Sequence, residues 1–123
     1  TWTGGVEADR SGVRLDGASL RNGGAVPSMG LPLGAIQLPP DGRPIVMLAD
    51  RPVTGGYRVP ACVICADVGR VAQLRTGDVV RFTAVSMEEA RAAWRFAEAA
   101  LTDVEEAGPA GVDPGLGWIG SHD

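Results

Sequence analysis

The chain has 123 residues, of which 45% are hydrophobic and 21% charged, a composition typical of one small folded domain. Its formal net charge of −4 argues against a protein that binds the phosphate backbone of nucleic acids, since that function needs a basic face. All eleven basic residues are arginine, which excludes lysine chemistry such as a Schiff base. No apolar run has the length of a membrane helix and no signal peptide opens the chain, so we expect a cytoplasmic protein without a membrane contact. Because the first residue is Thr1 and not Met, we also expect a fragment, a processed product or a trimmed chain.

Short strands separated by turn residues dominate the middle of the sequence. Residues 1–9 are predicted to be irregular or a short strand, and residues 18–33, rich in Gly, Pro, Asn and Ser, a long loop. Apolar residues that alternate or run continuously between turns predict strands at 12–17, 34–39, 44–50, 58–67 and 78–86. Asp41-Gly42 is a hairpin signal, so the two strands that flank it are expected to pair.

Two helices are predicted towards the C-terminus. Apolar residues spaced three apart predict a short helix within 68–78. Ser86 and Glu89 form a capping box that opens a long helix. Its apolar stripe consists of Ala90, Trp94, Ala97, Leu101 and Val104. We therefore predict a mainly-β fold, a small β-barrel or sandwich with a long C-terminal helix, in a domain at 1–107 followed by a flexible tail at 108–123.

The two cysteines, Cys62 and Cys65, have the C-x-x-C spacing found in redox pairs and zinc sites. Within a strand at 58–67, residues three apart point to opposite faces, so we expect buried structural thiols in a reducing compartment. The one histidine, His122, falls in the predicted tail, and we expect no metal ligands from this chain. The letters "GLGWIG" at 115–120 match a dinucleotide motif but have no strand before them, so we reject a nucleotide site.

A candidate site lies where the strand 44–50 ends in charges and is followed by "TGGY". Asp50 can act as a base or acceptor, and Arg51 can bind an anion. The paired glycines let a ligand approach the backbone and expose N–H donors, while the flanking side chains add hydroxyl groups. These four residues are Thr54, Gly55, Gly56 and Tyr57. A plain β-turn is the alternative interpretation of the same letters.

Three further polar residues stand out in or before strands. Asp9 and Arg10 precede the strand 12–17, and Gln37 lies within an otherwise apolar strand. The alternatives are a surface ion pair for Asp9 and Arg10 and an outward-facing strand position for Gln37. Together with the residues after 44–50, they would suit a small polar ligand with an amide or a carboxylate.

Three stretches of the sequence resemble the allophanate hydrolase subunit 2 family, also called the biotin-dependent carboxyltransferase family, which includes the C subunit of 5-oxoprolinase. The stretches are "ADRSGVRLDG" at 8–17, "GAIQLPPDGRPIVMLADRPVTGGY" at 34–57 and "RVAQLRTGDVVRF" at 70–82. The resemblance covers most of the chain, from about residue 7 to 90, and the motifs are long and in the family's order. It implies the second, C-terminal subdomain of a longer two-subdomain protein, with a cyclophilin-like β-barrel fold.

The resemblance also implies a function for the chain, together with the partners and cofactors it would need. We expect part of a subunit of bacterial ATP-dependent 5-oxoprolinase, inactive alone and paired with a subunit 1 protein and the missing N-terminal subdomain. ATP would be supplied elsewhere in the complex. The alternatives are carboxyl transfer from carboxybiotin to urea or a similar amide, and a regulatory partner of a kinase-inhibitor-type subunit 1 that catalyses no reaction.

Carried over residue by residue, the resemblance places on the family's motifs Asp9, Arg10, Gln37, Asp50, Thr54, Gly55, Gly56 and Tyr57. We expect catalytic roles for Asp50, Tyr57 and Arg10. We expect substrate-binding roles for Asp9, Gln37, Thr54, Gly55, Gly56 and, from its charge, Arg51. The motifs also contain Gly12, Arg14, Pro44, Gln73, Gly77 and Asp78, of which Gly77 and Asp78 are expected to form a turn. Two positions depart from the family pattern, because Ser11 replaces a usual Met and Pro52 replaces a common Gln.

Overall fold

The computed structural model describes residues 1–21 and 24–107. The predicted tail, with the 115–120 motif and His122, lies outside these residues. Within them the strands β1 to β7 are Trp2–Ala8, Gly12–Gly17, Ala25–Gly30, Ala35–Leu38, Ile45–Met47, Thr54–Cys62 and Val79–Val80. The helices α1 and α2 are Cys65–Ala72 and Met87–Ala107.

The strands form one antiparallel sheet in the order β3-β6-β4-β5-β2-β1-β7. Two hairpins, β1–β2 and β4–β5, are joined through the β2–β5 pair, in which Val13 lies opposite Val46. The turn at Asp41-Gly42 closes the second hairpin as predicted, and Gly42 has a φ of +74° that favours glycine there. The mainly-β fold with a long C-terminal helix is confirmed.

The core lies on both faces of this sheet. On one face the fully buried Leu15 and Val46 pack with Val13, Ile36 and Leu48, and α1 covers them with two valines, Val68 and Val71. On the other face a smaller cluster forms around Leu31, Ala35 and Met47. Ala35 and Gln37 are two residues apart in β4, so strand alternation places the Gln37 side chain on the same face of the sheet as this smaller cluster.

Several predicted boundaries were wrong. The stretch 18–33 is not one loop, because it contains β3, an edge strand that pairs with β6. The "TGGY" segment is not a turn, because it opens β6, and the strand ends at Cys62 instead of continuing to residue 67. The strand predicted at 78–86 is limited to two residues, Val79–Val80.

The prediction for the cysteines was also wrong. Cys65 begins α1, so the two residues do not lie on one strand, and both thiols are exposed. Cys62 is close to the carbonyl of Leu33, with 3.7 Å between its Sγ and that oxygen. Desolvation, with a smaller contribution from nearby Cys65, raises the pKa of the Cys62 thiol, which favours its neutral form.

The predicted helix cap is confirmed. The Oγ of Ser86 accepts a hydrogen bond from the backbone N–H of Glu89 at 3.2 Å, and the Glu89 carboxylate accepts one from the Ser86 N–H at 2.6 Å. These hydrogen bonds lower the pKa of Glu89. The local sequence therefore sets the first residue of α2 without help from distant contacts.

Candidate functional site

Asp9 organises the turn between β1 and β2. Its Oδ1 accepts hydrogen bonds from the N–H and the Oγ of Ser11, at 2.8 and 2.6 Å, and from the N–H of Gly12 at 3.2 Å. These bonds, led by the one from the Ser11 hydroxyl, hold the pKa of Asp9 below its ordinary value. One oxygen of Asp9 is thus committed to the turn that presents Arg10.

Arg10 and Asp50 lie side by side although forty residues separate them in the sequence. The Nε of Arg10 is 3.1 Å from Oδ2 of Asp50, and the Asp50 N–H donates to the Arg10 carbonyl at 3.0 Å. The register of β2 against β5 brings the ends of these strands together. The two side chains are 90% and 55% exposed, so this ion pair contributes little stability, and both groups can exchange it for a ligand.

A cavity of about 450 Å³ opens beside this pair. Its polar wall is formed by Asp9, Arg10 and Asp50. The apolar wall includes Val13, Leu33, Leu48 and Val68. A guanidinium and carboxylates next to aliphatic side chains suit a small molecule with both polar and hydrocarbon parts.

Arg51 points to a different place from Arg10. Its Nε donates to the carbonyl of Leu31 at 2.8 Å, and its Nη1 to the carbonyl of Leu48 at 3.4 Å. The guanidinium therefore ties the segment before β4 to the end of β5. Its Nη2 has no hydrogen-bond partner among the residues that the structure describes.

Gln37 of β4 lies close to Gly55, which is in the part of β6 that pairs with β3. Gln37 is 6% exposed, and its Nε2 makes no hydrogen bond within the described part of the chain. A Cβ placed on Gly55 would lie 2.4 Å from that Nε2 and 2.7 Å from Cδ1 of Leu31. Gly55 is required here because the amide lies over its Cα. A buried amide nitrogen without a partner costs free energy, and such groups are often kept where a ligand accepts their hydrogen bond.

The other predicted residues of β6 lie in the first half of that strand. Thr54 pairs with Gly30 and Tyr57 with Ala25, and both side chains are exposed. In the part of the chain described, neither side chain makes a hydrogen bond. Gly56 has more room than Gly55, because a Cβ placed on it would lie 3.5 Å from the carbonyl oxygen of Val26, an ordinary contact distance.

The predicted site residues therefore form two groups. Asp9, Arg10 and Asp50 line the cavity, whereas Gln37 and Gly55 contact each other elsewhere. Arg51 connects them, because it donates to the carbonyl of Leu48, which lines the cavity, and to that of Leu31, whose side chain lies next to Gly55. Sequence reasoning missed the aliphatic wall of the cavity, since Leu33 and Leu48 carry no motif signal apart from their hydrophobicity.

The remaining motif residues have structural contacts. Arg14 forms ion pairs with Glu7 at 2.7 Å and Asp41 at 2.9 Å. Asp78 accepts a hydrogen bond from the N–H of Arg75 at 2.8 Å, and Gly77 has a φ of +90°. These two form the turn that leads into β7.

Across residues 1–21 and 24–107 there is no cluster of three His, Cys, Asp or Glu side chains that could hold a metal ion. Within the same ranges, no helix is both long and apolar enough to span a membrane.

The model of the family described as "Carboxyltransferase domain, subdomain A and B" matches residues 1–84. The chain therefore belongs to this carboxyltransferase family, and the resemblance inferred from its three motifs is confirmed.

Characterised relatives and a solved structure agree with this assignment. The chain is 42% identical over 91 residues to the C subunit of 5-oxoprolinase from Haemophilus influenzae and 38% identical over 91 residues to that from Escherichia coli. Each alignment covers 72% of this chain and 29% of the relative, so the chain spans less than a third of their length. The crystal structure of the K. lactis urea amidolyase superposes with a TM-score of 0.75 at 26% identity, covering 83% of this chain and 7% of that one. As subunits of 5-oxoprolinase, the two bacterial relatives have partner subunits.

Proposed function

We propose that this chain forms part of the substrate site of an ATP-dependent 5-oxoprolinase, which opens a lactam with the help of partner subunits. The two bacterial relatives, both C subunits of 5-oxoprolinase, support this assignment. Because the chain spans only part of their length, it would act within a complete protein and with a subunit 1 partner. ATP would be held elsewhere in that complex.

The observation that carries the proposal is the cavity beside Arg10 and Asp50. 5-Oxoproline has a carboxylate, a lactam amide and ring methylenes. The exposed guanidinium of Arg10 can hold the carboxylate, Asp50 can accept a hydrogen bond from the lactam N–H, and the ring can lie against Leu33 and Leu48. Urea has neither a carboxylate nor methylenes, so it would leave Arg10 and the aliphatic wall without a partner.

The second group of residues, around Gln37 and Gly55, would make further contacts with the amide of the substrate. The unpaired Nε2 of Gln37 is a donor for a carbonyl oxygen, and the Tyr57 hydroxyl could orient the same amide. Thr54, Gly55 and Gly56 would shape the wall, and the free Nη2 of Arg51 could hold a second anionic group. In this scheme the chain binds and orients the amide, and the ATP-dependent activation of the lactam oxygen takes place with the partner subunits.

A second candidate is carboxyl transfer from carboxybiotin to urea or a similar amide. The superposition on urea amidolyase, which covers 83% of the chain, favours it. The same Asp50 would then orient the amide nitrogen, and backbone N–H groups would hold the carboxyl group.

The test uses the full-length protein assembled with its partner subunits. ATP hydrolysis is measured with 5-oxoproline, with urea and without substrate, for the wild type and for Arg10→Gln. We expect 5-oxoproline to stimulate hydrolysis and Arg10→Gln to raise its KM on the order of tenfold or more, since a charged hydrogen bond contributes about 1.5–3 kcal/mol.

Arg70→Gln is the matched control. Arg70 is also an exposed, ion-paired arginine, 3.2 Å from Asp67, but it lies on α1 away from this cavity. It should leave the KM unchanged. Stimulation by urea in the presence of a biotin carboxylase would favour the second candidate. A folded complex that responds to neither compound would indicate a regulatory partner without catalytic activity.

A further inference from the structure

The long helix α2 carries an apolar seam that its own chain covers only in part, since Ala90 and Ala97 are half-buried. Met87, Trp94 and Leu101 follow one another every seven residues, and they are 70%, 43% and 63% exposed. Ala90 and Ala97 lie three residues after the first two of them. Residues spaced in this way form the a and d positions of a heptad, which line one side of a helix.

The fold leaves most of this seam without a partner. At 1.5 Å per residue, the 21 residues of α2 extend about 31 Å, whereas the 8 residues of α1 that pack against it extend about 12 Å. Each side-chain hydrogen bond that the structure describes for α2 stays within the helix or its cap. The helix also lies beyond residues 1–84, the part that matches the carboxyltransferase family.

We propose that α2 pairs antiparallel with α2 of a second copy of this chain. This inference concerns assembly and is independent of the proposed function. In an antiparallel pair each a residue faces a d residue of the partner. Trp94 then packs on Ala97 of the second copy, and Leu101 on Ala90, so each of these layers joins one large and one small side chain. A parallel pair would place Trp94 against Trp94 and Ala97 against Ala97, which fills the space poorly.

The charges beside the seam favour the same arrangement. Arg91 and Glu98 both occupy e positions, and e positions face each other in an antiparallel pair. Arg91 of each copy therefore meets Glu98 of the other, which gives two symmetric ion pairs. Neither side chain has an ion-pair partner among those that the structure describes. The g positions on the opposite side, Ala93 and Ala100, are small and allow close approach.

In the proposed pair, the second helix would lie over a groove at the start of α2. The groove has a volume of about 750 Å³ and opens beside Met87 and Ala90. Its other walls include Val71, Leu74, Phe82 and Val85. Antiparallel pairing brings Leu101 of the second copy opposite Ala90, so the second half of the partner helix would cover this groove.

The experiment measures the mass of the full chain by sedimentation equilibrium over a concentration series. We expect a monomer–dimer equilibrium for the wild type. Trp94→Glu should raise the dissociation constant on the order of a hundredfold or more, because it buries a charge in both of the Trp94–Ala97 layers of the dimer. Phe96→Glu is the matched control, because Phe96 is 79% exposed on α2 but outside the seam, and it should dimerise as the wild type does. Circular dichroism confirms that each variant keeps its fold.

Charge reversal tests the orientation without altering the apolar seam. Arg91→Glu and Glu98→Arg alone should each weaken the dimer on the order of tenfold at low salt, and the double variant should restore it. Arg95→Glu, outside the e and g positions, should have no such effect. A monomer at every concentration would overturn the proposal, and so would a dimer that tolerates Trp94→Glu or is not restored by the double charge reversal.

Discussion

The contact between Gly55 and Gln37 predicts a specific cost for adding one methyl group to β6. In Gly55→Ala the new Cβ would be 2.4 Å from Nε2 of Gln37 and 2.7 Å from Cδ1 of Leu31. Van der Waals contact requires about 3.5 Å or more, so both groups would have to move by about 1 Å. Both ends are flexible, but Gln37 and Leu31 are only 6% and 3% exposed and have little room.

The neighbouring glycine provides a matched control. A Cβ on Gly56 would meet the carbonyl of Val26 at 3.5 Å, and neither glycine has a positive φ. Gly→Ala lowers the entropy of the unfolded chain by the same amount at both sites, which stabilises by about 0.4–1 kcal/mol. Overpacking in a core costs about 1–3 kcal/mol, so we expect a net loss of about 1–2 kcal/mol for Gly55→Ala and none for Gly56→Ala.

The assay is urea denaturation followed by far-ultraviolet circular dichroism, with the melting temperature as a second measure. A loss of about 1 kcal/mol corresponds to about 4–8 °C in a domain of this size. In a Gln37→Ala background the amide is absent, and the cost of Gly55→Ala should fall. If Gly55→Ala is as stable as Gly56→Ala, or if removing the Gln37 amide makes no difference, the close approach does not explain this glycine.

Replacing each of three other side chains should also change the stability of the fold measurably. Gln37→Leu removes the unpaired buried amide and should raise the free energy of unfolding, measured by urea titration, by about 1–2 kcal/mol. A free energy of unfolding equal to or below that of the wild type would mean that the amide has a hydrogen-bond partner. The lowered pKa of Asp9 means that its carboxylate stabilises the folded state above its ordinary pKa of 3.8, and that this stabilisation is lost as the pH falls through the folded-state pKa. Asp9→Asn should thus be less stable than the wild type at neutral pH, with the difference closing in acid, and a difference independent of pH would contradict this. Ser86→Ala removes the cap of α2 and should cost about 1 kcal/mol of helix stability, measured as a loss of helicity at lower temperature. If the variant melts as the wild type does, packing alone stabilises the N-terminus of α2.

Local chemistry explains which elements could be predicted from the sequence. The Asp41-Gly42 turn and the Ser86–Glu89 cap depend on residues a few positions apart, and both are present in the structure. The strand β3 was missed because its ladder partner, β6, lies some thirty residues further along the chain. Its side chains are mostly exposed, so no apolar alternation marks it.

The candidate site shows the same limit. The motifs indicated which residue types to consider, but their grouping depends on strand register. The pairing of β2 with β5 places Arg10 beside Asp50. Gln37 meets Gly55 although Gly55 pairs with Met29 of β3, and no local pattern in the sequence indicates this contact. The letters "TGGY" predict a turn because glycines usually signal one, whereas Gly55 serves here to admit a buried amide.

The way the two groups are connected decides which residue tests the site cleanly. Arg51 binds the carbonyls of Leu31 and Leu48, and Leu31 in turn packs on Gly55. Removing Arg51 would therefore loosen the contact at Gly55 as well as remove a cation, and a loss of activity would not separate these effects. Arg10 is 90% exposed and pairs with an exposed carboxylate, so its removal alters the charge of the cavity with little effect on the fold. A change in KM for Arg10→Gln can thus be attributed to the ligand.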